Sequence, residues 1–280
     1  MRIDTATHYR VSLEPAPATV ITLVGAGGTG SALAVDLARL MYHVRQSGGR
    51  IHMQIVDHDK VERKNVGRQQ FSAADVGRYK AESLAERLNM WLGLNIAALP
   101  EKFTRDTSLY LSGKAPRDTR RILVGAVDNH SARAEMAHSD FAKGNKRCWW
   151  IDAGNGHDTG QVLIGNMTLG EIQVNDIFGL VDGLPAPSVQ MPGLLEPEET
   201  AVVETQADCA LDMIRDEQGL NINRMMAVLV AQYVYDIVVR REITTMGAHA
   251  ALRPPSVTSL PITLQALKQF KKQIKVKKFV

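Results

Sequence analysis

Cysteine is nearly absent: Cys148 and Cys209 are the only two in 280 residues. Two thiols cannot build a disulfide scaffold, nor supply a four-cysteine zinc site from one chain. Long apolar runs are missing too. No window reaches the roughly 18 uninterrupted apolar residues that a membrane span needs. The N-terminal stretch MRIDTATHYR has no basic segment followed by an apolar one, so it does not read as a signal peptide, and the expected location is cytoplasmic. Aromatic residues make up only 5% of the chain, and Trp91, Trp149 and Trp150 read as packing residues. What remains is 45% apolar, enough for one large domain with appendages.

The net charge of +3 is unevenly placed. Residues 267–280 carry six lysines and no acid, which leaves −3 for the rest. Such an end reads first as a solvated amphipathic segment and otherwise as a docking patch for an acidic partner or nucleic acid. Nucleic acid is not the expected partner of the mildly acidic body.

The run TVITLV at 19–24 is short, apolar and rich in β-branched residues, and reads as a buried strand. Glycines follow at once. SALAVDLARLMYHV then shows Ala, Leu and Val at helical spacing. RIHMQIV at 50–56 gives a second strand, and polar sequence runs from 57 to 70. Asp75 is expected to open a helix that continues to about Trp91. RILVGAV at 121–127 is a further strand ending at Asp128, and 131–141 look helical. Short strands are expected at 148–152 and 161–164. This alternation predicts an α/β fold with a doubly wound, mostly parallel sheet and added antiparallel strands. The stretch 174–207 is rich in proline and acidic residues and reads as a long flexible loop. Residues 221–239 form a C-terminal helix apolar almost all round, expected in the core or at a subunit interface. Asn223, Arg224, Gln232 and Asp236 argue against placing it in a membrane.

Ligands in such sheets bind beyond the carboxyl ends of the strands. Three polar clusters fall there. The first places Gly25, Gly27, Gly28 and Gly30 between a strand and a helix, where free N–H groups face an incoming phosphate. Read as Gly-x-Gly-x-x-Gly it also fits a Rossmann dinucleotide fingerprint, with Asp57 placed to grip a ribose hydroxyl. The second cluster, DHDKVERKNVGRQQFSAADVGRYK at 57–80, holds Asp57 and Asp59 at a strand end, Asn65, Arg68 and Gln69 on a loop, and Lys80 near a helix start. Converging cations suit a triphosphate better than a dinucleotide, because departing pyrophosphate builds charge that fixed cations stabilise. Arg68 offers a planar fork and Lys80 a point charge. In the third cluster Asp128 is placed to hold Mg²⁺ against phosphates, while Asn129 is placed to cap the helix that follows. The two roles are compatible.

Taken in order, Gly-x-Gly-Gly-x-Gly, Asp-x-Asp-x-Val, Asn-x-x-Arg-Gln, Lys80 and Val-Asp-Asn resemble the ThiF/MoeB/ubiquitin-activating superfamily. The resemblance covers about 19–165, with a weaker echo at 209–236. Within it, VGAGGTGS, NVGRQQFSAADVG, DAGNGHDTGQVLIGN and the DCAL…NIN stretch are similar to the ThiF-family proteins of bacterial PRTRC gene systems. The resemblance implies a homodimer that uses ATP and Mg²⁺ to adenylate the C-terminal carboxylate of a small ubiquitin-like or sulfur-carrier-like protein, releasing pyrophosphate. It implies Gly27 and Gly28 near the phosphates and Asp57 on the ribose. Asn65, Arg68, Gln69 and Lys80 would line the triphosphate path, and Asp128 would engage Mg²⁺.

The sequence departs from the family pattern in places. Lys64 stands where serine is common before Asn65. The paired Cys-x-x-Cys zinc motifs are missing, so no zinc site is expected. An arginine that reaches a partner subunit's phosphates has no clear match, Arg10 being the nearest. Cys209, in ETQADCALDM, is a candidate to take the acyl group as a thioester, although Asp208 beside it opposes thiolate formation. Otherwise it packs as a small hydrophobe. Cys148, beside two tryptophans, reads as core, and His58 as a solvated loop residue.

The resulting organisation is one domain over 1–280, with a nucleotide-binding half at 15–165, a flexible loop at 174–207, a helix-containing half at 208–260 that serves the core or a dimer, and the basic tail at 267–280. Two other functions stay open. One is an NAD(P)-dependent oxidoreductase, supported by the glycine spacing and Asp57 but lacking an evident proton donor. The other is a non-catalytic nucleotide-binding adapter.

Overall fold

The computed structural model describes residues 7–107, 118–139, 146–197 and 209–279; of 209–218, 220 and 279 it describes the backbone alone. Its main sheet has eight strands in the order β12 (Pro255–Pro261), β11 (Thr245–Leu252), β7 (Thr159–Gly165), β6 (Cys148–Asn155), β5 (Arg120–Gly125), β2 (Thr19–Val24), β3 (Ile51–Val56) and β4 (Ala97–Leu99). From β6 to β4 neighbouring strands run parallel. β7, β11 and β12 are added antiparallel. All six residues of β2 are buried, the pattern of a strand covered on both faces. The chain therefore has the Rossmann-like, mostly parallel architecture with antiparallel additions. The strand order turns at β2, and ligands in such sheets settle at that switch point.

The helix α1 (Gly28–Gln46) follows β2 and buries Leu33, Ala34, Leu37, Ala38 and Met41, a stripe at helical spacing. Each such leucine or methionine removed from water contributes about 1.5–3 kcal/mol. Three helices follow along the chain: α2 (Lys80–Leu92), α3 (His130–His138) and a short α4 (Pro187–Gln190). The long α5 (Cys209–Tyr235) packs along α1 and across β6 and β7. Its last turn widens to π-helical over Asp236–Arg240 and stops at Arg241, which adopts φ 57°. A Cβ on Gly160 would meet the Met226 sulfur at 2.5 Å, so α5 lies directly on the β7 backbone. The stretch Asn221–Arg240 is long and apolar enough to cross a membrane. Ile222, Met226, Ala227, Val230, Val234 and Ile237 are nevertheless buried, as in a core helix.

A second sheet of five strands has the order β10 (Glu242–Ile243), β1 (Arg10–Ser12), β9 (Leu180–Val181), β8 (Gly170–Asn175) and β13 (Ile274–Phe279). The basic tail is thus partly structural. After a short α6 (Leu264–Lys268), β13 pairs in parallel with β8, burying Ile274 and exposing Lys275, Lys277 and Lys278.

The expected flexible loop at 174–207 is ordered over much of its length, holding the end of β8, then β9, α4 and a 3₁₀ turn at Pro192–Leu195; residues 198–207 lie outside the described residues. Asp75 does not open a helix. Its carboxylate closes a 3₁₀ turn by accepting from the Ser72 backbone N–H at 2.7 Å, and α2 begins only at Lys80, beyond Gly77 at φ 89°.

Candidate nucleotide site

A cavity of about 1380 Å³ opens over the carboxyl ends of β2, β3, β5 and β6. Its floor is the loop from β2 into α1. Gly25 sits at φ 93°, and a Cβ there would collide with the Ala126 carbonyl, so only glycine makes this turn. Gly30 packs against the Gly25 carbonyl and does not line the cavity. Gly27, the N-cap of α1, has no side-chain cap on the helix end. A Cβ at Gly27 would meet nothing within 4 Å, so the loop faces open space there. The first N–H groups of α1 and the positive end of its dipole thus meet the cavity.

Asp57 lines one wall. Its Oδ2 accepts from the Ala26 N–H at 2.6 Å and its Oδ1 from the Asp59 N–H at 2.8 Å, which fastens the end of β3 to the glycine loop. Burial pushes its carboxyl above the ordinary range, against the pull of those N–H groups. Lys80, only 8% exposed, reaches Asp59 Oδ2 at 3.1 Å and lines the same wall. The ligand atoms of Asp57, His58 and Asp59 lie within 4.8 Å of one another. Backbone N–H groups and Lys80 already engage the two acids.

The structure brings Gly25, Gly27, Gly28, Asp57, Asp59, Gln69, Lys80, Asp128 and Asn129 to this one cavity. Asp128 is exposed at its rim. Asn129 caps α3, accepting from the Ala132 N–H at 2.8 Å. Besides Gly30, two of the expected residues do not line it. Asn65 is buried and accepts from the Glu62 N–H at 2.8 Å, closing its own turn. Arg68 is exposed on the loop beyond it. Arg10 lies in the five-stranded sheet and pairs with Glu242 at 2.9 Å. Cys209 opens α5, and its side chain lies outside the described residues. It precedes Asn223 by fourteen residues on the same helix, about 21 Å along the axis, so a thioester there requires transfer across that distance.

Other lining residues escaped the sequence reading. Thr29, Asn155 and Asn223 meet over the glycine loop. Arg133 bridges the Val127 carbonyl at 2.6 Å and Asp152 Oδ2 at 3.1 Å. Burial pushes the Asp152 carboxyl up to about 6, with Arg133 opposing the shift. Lys102, Phe103 and Thr104 follow β4, in a loop tied to α3 where Arg105 Nη2 meets Glu135 at 3.1 Å. Gln161, His249, Ser256 and Thr258 extend the cavity across the antiparallel strands. One signal for these was visible in the sequence: Asn223 is a polar residue in a largely apolar helical stretch, a mark that Asn221 and Arg224 share. For Arg133 and Asp152, nineteen residues apart on separate elements, there was none.

The fold and this cavity define an α/β protein with a glycine loop facing a cavity at the sheet's switch point. Residues 13–242 match the ThiF family, and the chain belongs to it. No curated protein sequence matches the chain. Among solved structures, PaaA superposes with a TM-score of 0.51 at 17% identity, over 88% of this chain and 64% of PaaA. E. coli MccB with ATP superposes with a TM-score of 0.52 at 18% identity, over 88% and 64% of the two chains. E. coli MccB with its MccA gives 0.51 at 16% identity, over the same shares. The chain thus spans about 64% of the length of these neighbours, and the likeness is one of fold.

Proposed function

We propose that this chain binds Mg-ATP and adenylates the C-terminal carboxylate of a small ubiquitin-like or sulfur-carrier-like protein. The observation that carries the reading is the convergence of an uncapped helix end, a buried lysine and two wall carboxylates on one cavity. The residues fit the group. The space above Gly27 would admit phosphate, and Lys80 supplies a fixed cation beside it. Asp128 is a hard oxygen donor suited to Mg²⁺, which would neutralise phosphate charge there. The motif set further suggests a member of the PRTRC-system type.

In the reaction, a carboxylate oxygen of the partner attacks the α-phosphorus. The bond from that phosphorus to the bridging oxygen breaks, and pyrophosphate leaves with the electron pair. The attacking carboxylate is already ionised near neutral pH, so no general base is required. Lys80 and the α1 N-terminus stabilise the charge that develops, and Asp57 positions the ribose. Ligand pockets usually span about 300–1,000 Å³. The larger cavity here leaves room beside a nucleotide for a chain terminus lying over β6, β7, β11 and β12. E. coli MccB, solved with ATP and separately with MccA, offers a parallel for one fold that takes both a nucleotide and a second ligand. The exposed residues Val228, Tyr235 and Val239 of the α5 region suit a homodimer contact.

The test is ATP–pyrophosphate exchange with a ubiquitin-like protein ending in Gly-Gly as partner. Partner-dependent exchange is expected. Its absence, with ATP still bound, points to a non-catalytic adapter. Thermal stabilisation by NAD but not by ATP would replace the reading with a dinucleotide enzyme. A reducible acyl adduct seen by intact mass, and lost in Cys209→Ala, would extend the reaction to a thioester.

A further inference from the structure

We infer that Asn223 contacts the nucleotide directly, its carboxamide N–H groups donating to phosphate oxygens held above Gly27 and Gly28. The inference deepens the ATP reading above and rests on it. No motif loop supplies this residue. It comes from the middle of α5, which packs along α1 and carries buried Ile222 and Met226 on either side of it.

The geometry fixes which end of the carboxamide faces the cavity. Asn223 Oδ1 accepts from Thr29 Oγ1 at 2.9 Å and from Asn155 Nδ2 at 3.0 Å. A carbonyl oxygen has two lone pairs, so both are committed. The amide nitrogen is thereby turned towards the glycine loop. A Cβ built on Gly28 would collide with the Asn223 carboxamide, with Nδ2 the nearest atom. Among the described residues no acceptor is bonded to that nitrogen. Asn223 lines the cavity beside Gly27 and Gly28, and next to it the space over Gly27 is open. Two further N–H groups thus join those of the first turn of α1.

The chemistry of the side chain matches this use. Asparagine is a poor helix former, yet it stands at mid-helix between buried Ile222 and exposed Arg224. It donates without charge, and with its oxygen occupied it shows phosphate no repelling lone pair. It also explains why residue 28 is glycine, since any side chain there would displace the carboxamide.

The test compares Asn223→Asp and Asn223→Ala in the full chain, titrating ATP and adenosine by calorimetry. Aspartate keeps acceptors for Thr29 and Asn155 but sets a negative charge against phosphate. ATP affinity of Asn223→Asp is expected to fall at least about tenfold, with adenosine affinity within about twofold and an unchanged unfolding midpoint. Asn223→Ala should lose ATP affinity by about three- to tenfold. If Asn223→Asp binds ATP like the unaltered chain, or if it loses ATP and adenosine equally, Asn223 is only a brace between α1, α5 and β6, and the inference falls. If the unaltered chain binds no ATP, both readings fall. A selective loss of ATP without partner-dependent exchange upholds Asn223 and removes only the adenylation.

Discussion

In the eight-stranded sheet, the ends of the parallel strands carry charges withdrawn from water. Asp57, Lys80 and Arg133 are each less than 10% exposed and line one cavity, and Arg133 pairs there with the buried Asp152. The five-stranded sheet carries its charges outside, in pairs such as Lys277–Glu171 at 2.8 Å and Arg10–Glu242 at 2.9 Å. A buried charge costs several kcal/mol in lost hydration unless it is paired, so a cluster of them needs a reason to exist. An exposed pair costs little and contributes little. The contrast separates the sheet that is built around a site from the sheet that closes the fold.

The largest expected effect comes from removing one partner of a buried pair. Arg133→Ala strands the Asp152 carboxylate and should cost about 3–5 kcal/mol in urea unfolding at neutral pH. A loss below about 1 kcal/mol would mean that water reaches the pair and that the contrast between the sheets is overstated. Next comes Lys80→Ala, expected to lower exchange about 10²–10³-fold, as when a single charge-stabilising donor is removed. Unaltered exchange would take Lys80 out of the mechanism.

The third is a dependence on pH. The Asp152 carboxyl rises from 3.8 unfolded to about 6 folded. The folded chain therefore holds this proton more tightly. The stability it contributes is fully present below about pH 4 and is lost as the pH rises through about 6. Unfolding midpoints of the unaltered chain minus those of Asp152→Asn should fall across that window, and a flat difference would contradict the burial argument. Fourth, Arg68→Ala should leave exchange within about twofold and the midpoint unchanged, because Arg68 stands exposed outside the cavity, and a loss of about tenfold would show that its loop reaches the phosphates. Smallest of all, Lys277→Ala should shift stability by about 0.5 kcal/mol or less. A larger loss would show that the outer sheet depends on its charges after all.

The same contrast explains what could be read in advance. Strands β2, β3 and β5 are buried along most of their length, so each carries a cluster of apolar residues, and their loops follow at once in sequence. The strands β1, β9 and β10 are two or three residues long. Their partners are remote: Arg10 pairs with Leu180, and Ser12 with Glu242. No local pattern marks such a pairing. In β13 the lysines drew attention to charge, although Ile274 and Val276 alternate with Lys275 and Lys277 as a half-buried strand should. Asp75 has the residue type of a helix cap, but its carboxylate is spent on Ser72. Asn65 and Arg68 were readable as motif positions. Whether their side chains turn towards the cavity depends on the fold of a loop that holds its own hydrogen bonds.

The order of elements, the glycine loop between β2 and α1 and the acids at the strand ends were determined by the sequence alone, because each is marked by a pattern within a short stretch of chain. The tertiary structure alone decided that Asn223 would cover Gly28, that Arg133 would neutralise Asp152, and that a lysine-rich end would close a second sheet. Those contacts join segments 19 to about 195 residues apart. Only packing, which lays α5 on α1 and the antiparallel strands beside β6, brings such segments within reach of one another.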